Sequence, residues 1–273
     1  MPHVATAKIG LEPKMSNKSK INLFVTGGWD STFMLCKLSR QAFDITPVYV
    51  LNTERQSRDV ELSAIKKIIS LLSKHPQTKA SIAPIKIINL ADITVDPEIK
   101  TARRSLMKRV GSLGYQYDYL ATIAKDLGKV GVGIENSPPA GDTGETTILT
   151  TLAKLIHKPY GFVVDQDLSD PEVNLVFGNM FFPIADITEP EMHAWAEQNG
   201  YSHIMKLTWF CHSPINGEPC GLCRPCEEKM GSKMEFLLPE ESQKRYYKAK
   251  KWDFLGERLS RPIKQHRINR LTK

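Results

Sequence analysis

Two groups of residues in this chain have the types and spacing to do chemistry. The first is Thr26-Gly27-Gly28-Trp29-Asp30-Ser31-Thr32, which follows an apolar run and precedes a helical pattern. Its glycines permit a tight turn with backbone N–H groups facing an anion. A helix starting at Asp30–Ser31 adds the positive end of its dipole. The hydroxyls of Thr26, Ser31 and Thr32 can donate to phosphate oxygens, and Asp30 can cap the helix or help hold a magnesium ion. The lysine of G-x-x-x-x-G-K-[ST] is missing, and so is the spacing G-x-G-x-x-G. Neither a Walker loop nor a dinucleotide fingerprint therefore describes the stretch. Its bland alternative is a turn before a capped helix.

The second group is Cys211, Cys220, Cys223 and Cys226, spaced C-x8-C-x2-C-x2-C. Two C-x2-C steps let thiolates converge on one tetrahedral ion, and Cys211 completes the set. Gly217 and Gly221 allow the turns that bring the sulfurs together. Four thiolates leave no open position, so structural zinc is expected; an iron–sulfur cluster and disulfides are the alternatives. His212 is either a substitute ligand or a surface residue. Cys36 lies beside Met34 and Leu35 in a helical pattern and reads as core.

The elements that must position these groups alternate. Apolar strands are expected at 21–26, 45–52, 82–90 and 129–134, with a fifth inside 174–184. Helical spacing is expected at 31–43, 60–73, 117–128, 146–156 and 189–200, and residues 92–112 suggest a short basic helix. Alternation of this kind predicts a doubly wound, parallel α/β sheet of about five strands. Ligands of such sheets bind beyond the carboxyl ends of the strands, where the strand order switches. The Gly-Gly loop and the ends of the second and fourth strands fall on that edge.

Composition sets the outer bounds. The 273 residues are 41% apolar and 25% charged, ordinary values for a globular chain. The absence of an apolar run of about 20 residues, or of a leader-like start, leads to the expectation of a cytoplasmic protein without a membrane partner. Residues 240–273 carry 11 Lys/Arg against 4 Asp/Glu, so the whole excess of +7 is there. That tail reads either as a contact for nucleic acid or another acidic partner, or as a solvated terminal helix. Arg103, Arg104, Lys108 and Arg109 are open in the same way, to an anionic ligand or to solvent.

Thr26–Ser31 closely resembles the S-G-G-x-D-S loop of the N-type ATP pyrophosphatases, the PP-loop family. The resemblance implies that ATP binds at Thr26, Gly27, Gly28, Trp29 (the variable position), Asp30, Ser31 and Thr32. Asp30 and Ser31 would carry the chemistry. Adenine would lie near Leu51 at the end of the second strand, Gln56 is a further ATP contact, and Arg55 and Arg58 either reach phosphates or are ordinary exposed arginines. Such enzymes adenylylate a carboxylate or carbonyl-like oxygen and release pyrophosphate, and a nucleophile then displaces AMP. Within the family, Cys220-Gly221-Leu222-Cys223-Arg224-Pro225-Cys226 and the run Leu207–Cys211 resemble the 7-cyano-7-deazaguanine synthases of queuosine biosynthesis. Gln56 and Glu61 keep the spacing of their G-Q-x-x-x-x-E pattern.

The resemblance covers roughly residues 21–237. It divides the chain into an N-terminal arm (1–20), an ATP-binding α/β domain (21–205), a zinc element (206–239) and the basic tail (240–273). It departs where those synthases carry P-G-R-N: Gly114 is kept, but Tyr115 and Gln116 replace Arg and Asn. It departs again at 133–146, where Gly133, Glu135 and Asp142 are the candidates for holding an acceptor. A carboxylate there can accept from both donors of a guanine-like edge. Either acid can equally be an ordinary loop residue.

Three functions follow from this. The first is ATP- and magnesium-dependent activation of a 7-deazaguanine carboxylate, then amide or nitrile formation. The second is a repurposed relative, of the kind found in phage DNA modification or antiphage defence, joining an activated acid to protein or nucleic acid through the basic tail. The third is a nucleotide-binding module without catalysis. The synthases are often dimers, which makes a homodimer an expectation.

Overall fold

Along β1 (Ser19–Phe24) and β2 (Phe43–Leu51) the apolar side chains are divided between two cores. Ile21, Leu23, Ile45 and Tyr49 enter one core, whereas Phe24 and Val48 enter the other. Strands buried on both faces need helices on both faces, which makes a three-layer α/β/α arrangement. The computed structural model describes residues 18–136, 144–232 and 234–255. The expected N-terminal arm up to residue 17 and the tail beyond residue 255 lie outside them.

In chain order, β1 leads to α1 (Trp29–Ser39), β2 to α2 (Arg58–Leu72), then β3 (Ser81–Ile82) and β4 (Lys86–Asn89). After them come α3 (Pro97–Val110), α4 (Gln116–Leu127), β5 (Val130–Gly131) and α5 (Glu145–Thr147). The hairpin β6 (Leu155–Lys158) and β7 (Gly161–Val164) follows, then α6 (Pro171–Phe177) and β8 (Met180–Phe182). The chain continues through α7 (Glu189–Gln198), α8 (Ser202–Met205), α9 (Arg224–Gly231) and α10 (Glu240–Leu255). None of the described helices is long and apolar enough to cross a membrane.

The strand order is β3-β2-β1-β5-β8-β7-β6, with β4 also paired to β2. The pairs β1–β2, β1–β5, β2–β3, β2–β4 and β5–β8 are parallel, whereas β6–β7 and β7–β8 are antiparallel. From β1 the chain moves to β2 on one side, and β5 lies on the other. The order therefore switches between β1 and β5, which is where the Gly-Gly loop emerges.

The sheet is mixed and wider than five strands. Residues 146–156 depart from the expected helix: α5 runs into a π turn, Ile148–Leu152, and Leu155–Lys158 is strand. Four threonines explain the departure, being β-branched and able to bond back to carbonyls. The hydroxyl of Thr150 donates to the Thr146 carbonyl at 2.9 Å and that of Thr151 to Thr147 at 2.6 Å. The expected strand inside 174–184 is confined to Met180–Phe182, because Asp170 and Pro171 start a helix that takes Asn174–Phe177. The strand expected at 82–90 is split into β3 and β4 around Pro84, which has no N–H to give to the sheet.

The short basic helix expected in 92–112 is fourteen residues long, capped by Asp96 with Pro97 in its first turn. Two of its three arginines are in ion pairs, and Arg104 and Lys108 are exposed. Arg103 is buried against Asp118 at 2.5 Å and donates to the Leu113 carbonyl at 3.2 Å. Arg109 bridges Asp170 at 2.8 Å and Glu172 at 3.1 Å. Cys36 is fully buried among the core residues, as its neighbours implied.

Candidate functional site

The loop between β1 and α1 is tied together by its own hydroxyls. Ser31 Oγ accepts from the Thr26 N–H and donates to the Gly28 carbonyl, each at 3.2 Å. Thr26 Oγ1 accepts from the Gly28 N–H at 3.2 Å. Gly27 has φ +74°, where a Cβ would come within 3.1 Å of Ile65 Cγ1 and 3.3 Å of the Glu61 carbonyl. Both the conformation and the space call for glycine there. Its carbonyl accepts from the Trp209 N–H at 2.7 Å, so the loop is fastened to the segment leading into the cysteines.

A cavity of about 340 Å3 opens over this loop. Thr26, Gly28, Asp30 and Ser31 line its floor, together with Gly133 after β5. A Cβ on Gly133 would lie 3.2 Å from Asp30. Phe24, Val48, Tyr49 and Val50 form the strand wall, Gln116, Tyr117 and Tyr119 come from α4, and Trp209, Phe210 and His212 come from the cysteine side. A wider cleft of about 500 Å3 shares Arg55, Gln116, Tyr119 and His212 with it, and adds Asn52, Glu54, Gly114 and Tyr115.

The remaining expected residues have other places. Trp29 is buried behind the loop, and Gly27, Thr32 and Leu51 are not on the cavity lining. Gln56 is exposed, and of the two candidate arginines Arg55 lines the cavity whereas Arg58 donates to the Thr53 carbonyl. Arg55 is held by Glu61 at 3.3 Å. Glu61 is itself buried, accepting from Ser57 at 2.6 Å and from Tyr49 at 2.8 Å. Asp142 lies outside the described residues.

The electrostatics beside the loop are acidic. Burial raises the Asp30 carboxyl from the usual 3.8 to about 6; Lys229 opposes the shift, and Glu189 and Glu145 add to it. Burial, then Asp30 and Glu189, raise Glu135 to about 7, and its Oε2 has no partner among the described residues. Tyr117 is held protonated by burial, with Glu145 adding to the effect. Lys229 is the cation facing these carboxylates, in an ion pair with Glu189. Lys229, Glu189 and Glu145 carry no local signature, being ordinary charged residues on three separate elements. His212 and Trp209 were visible only as neighbours of a cysteine.

The four cysteines converge as their spacing implied. Their sulfurs all lie within 4.8 Å of one another. The separations are 3.9 Å for Cys220–Cys226, 3.9 Å for Cys211–Cys223 and 3.5 Å for Cys223–Cys226. Tetrahedral zinc with Zn–S near 2.3 Å requires sulfurs about 3.8 Å apart. Backbone N–H groups also point at the sulfurs: Cys220 N–H donates to Cys211 at 3.2 Å, and Leu222 and Cys223 donate to Cys220 at 3.3 and 3.2 Å. Such donors favour thiolate, the ligand form. The cluster is thus a site able to hold a structural metal such as zinc.

α10 closes this element from outside. Arg245 donates to the carbonyls of Cys220 at 2.8 Å and Pro219 at 3.0 Å. Gly221 has φ +76°, and a Cβ there would fall 2.1 Å from the Ser242 carbonyl oxygen. The first turns of the expected tail therefore pack on the four-cysteine loop. Compared with known proteins, the chain matches no family model and no curated sequence.

Proposed function

We propose that this protein activates a carboxylate with ATP and magnesium, in the manner of the 7-cyano-7-deazaguanine synthases of the PP-loop family. The observation that carries the reading is the placement of the Thr26–Ser31 loop. It leaves β1 at the switch in strand order, lines an open cavity with Thr26, Gly28, Asp30 and Ser31, and has the segment around Cys211 as one wall. The α1 N-terminus and the loop's donors would take the phosphates. Magnesium would neutralise phosphate charge, and Asp30, which lines the cavity without an opposing ion pair, has suitable oxygen ligands. Val48–Val50 give an apolar wall for adenine, and Arg55, fixed by Glu61, offers a cation at the phosphates or the acceptor. The work of the protein is then positioning and charge stabilisation.

A second reading is favoured by the wider cleft. Tyr115 is 68% exposed, stands edge-on to Tyr119, and lies where the synthases carry arginine. An acceptor site changed in that way suits a different acid, or one joined onward to a macromolecule. Mass spectrometry separates the readings. The protein is incubated with ATP, magnesium, ammonia and 7-carboxy-7-deazaguanine, and small molecules and intact protein are both weighed. The amide or nitrile is expected under the first reading. AMP formed only with another acceptor, or mass added to a macromolecule, selects the second. ATP binding without any pyrophosphate release, across all acceptors tried, rejects both in favour of a non-catalytic module.

A further inference from the structure

Lys229 is in the last turn of α9, three residues beyond Cys226. Its ammonium is ion-paired with Glu189 in the first turn of α7, and the two side chains are only 14% and 16% exposed. It also lies 5.9 Å from the ring centre of Trp29, the first residue of α1. Trp29 is 4% exposed and stacks on His193 of α7, with centroids 6.3 Å apart and planes at 19°. Lys229 does not line the cavity, so it has no direct reach to a ligand there. A lysine buried this far gives up hydration, which an apolar side chain would not. Its placement is explained by what it joins: the cysteine element, α7 and the first turn of α1.

A second tie runs in parallel. Trp209 donates its backbone N–H to Gly27 and its indole N–H to the Cys211 carbonyl at 2.8 Å. The loop is therefore held on one flank from Cys211 through Trp209, and on the other from Cys226 through Lys229. α9 has eight residues, too few to hold its shape by helix propensity alone. Cys226 in its first turns is where a metal would fix it.

We propose that Lys229 is a positioning residue that ties the four-cysteine element to the first turn of α1, so that metal occupancy sets the geometry of the Thr26–Ser31 loop. The consequence for ATP rests on the nucleotide reading given above; the tie itself does not. Metal and nucleotide then bind with positive coupling, and the coupling is reciprocal.

The test uses the full, metal-loaded chain and three variants: Lys229→Met, which keeps the length and removes the charge, Lys229→Arg, and Glu189→Gln. Metal content, hydrogen exchange of peptides spanning residues 26–32, and ATP affinity are measured. Lys229→Met and Glu189→Gln should each keep one metal per chain, raise exchange in the loop about tenfold and weaken ATP binding about tenfold. Lys229→Arg should restore most of both, and stripping metal from the wild type should loosen the same peptides. Unchanged exchange in Lys229→Met overturns the proposal. So does loss of metal from that variant, because Lys229 would then serve the cysteine site itself, and so does an arginine variant no better than methionine. Should the wild type fail to bind ATP while exchange still answers to Lys229, the nucleotide reading falls and the tie stands.

Discussion

Replacing Asp30 by asparagine should stabilise the ligand-free protein while ending its chemistry. Burial lifts the Asp30 carboxyl from 3.8 to about 6. Between those two values the folded state keeps a proton that the unfolded chain has released. Stability therefore falls as pH rises through this window, is unaffected below it and stays low above it. The shift is about two pH units, or about 3 kcal/mol at about 1.4 kcal/mol per unit. Loop relaxation and entering water reduce this to about 1–3 kcal/mol. The measurement is urea unfolding of wild type and Asp30→Asn in magnesium-free buffer from pH 4 to pH 8. The two stabilities should meet near pH 4 and separate towards pH 7, with the variant the more stable and inactive in ATP turnover. A constant offset across pH, or a variant less stable at pH 7, would refute the burial explanation. If the site receives magnesium and a nucleotide as proposed, stability given up there is the trade expected of a functional residue.

The purified protein should hold one zinc per chain by elemental analysis, and Cys226→Ser should weaken that affinity at least a hundredfold; because the ligands bind as thiolates, affinity should also fall as pH is lowered. Gly27→Ala forces φ +74° on a residue with a Cβ pressed against Ile65. It should cost about 1–2 kcal/mol, lower the Tm by about 2–4 °C, and abolish nucleotide binding by moving the loop; normal binding in a calorimeter would show that the turn is not essential. Arg103→Met strands the buried Asp118 and should cost about 3–5 kcal/mol in chemical denaturation, most of it recovered when Asp118→Leu is added. A double variant as unstable as the single would place the loss in packing rather than in charge.

The two chemical motifs were legible because each is local. A Gly-Gly turn before a helix and a C-x2-C-x2-C run carry their geometry within a few residues, and both fold as their spacing implies. The parallel centre of the sheet, β2-β1-β5-β8, was legible from alternation. What escaped were features decided by competition between neighbours. TTILTTLAKLI has helical periodicity, yet its threonine hydroxyls and the Pro159–Tyr160 turn favour a π turn and a hairpin. The Leu-Val-Phe of 175–177 is as apolar as a strand, yet the Asp170-Pro171 start makes it helix. The charged group beside the loop was invisible for a different reason. Asp30, Glu135, Glu145, Glu189 and Lys229 are spread over about 200 residues, and only the fold brings them together.

That convergence favours, for the cysteine element, the positioning role proposed above over stapling alone. Metal staples are needed by small domains that cannot bury enough apolar surface. Here the sheet has an extensive buried core on each face, and the cysteines form a third, separate cluster with Leu238. Neither main core includes a ligand sulfur. Besides α10 outside and Met234 in the main core, its contacts reach the machinery of the loop: Trp209 on the Gly27 carbonyl, Phe210 and His212 on the cavity, and Lys229 on Glu189 and Trp29. The turn itself, Thr26-Gly27-Gly28, carries little side-chain packing to hold one conformation, whereas Trp29 after it is buried. Under the proposal above, the four-cysteine element with its metal bound would press against both flanks and supply the missing rigidity without filling the cavity. The metal would then matter less for whether the chain folds than for whether Thr26, Gly28 and Ser31 present their donors in one fixed arrangement.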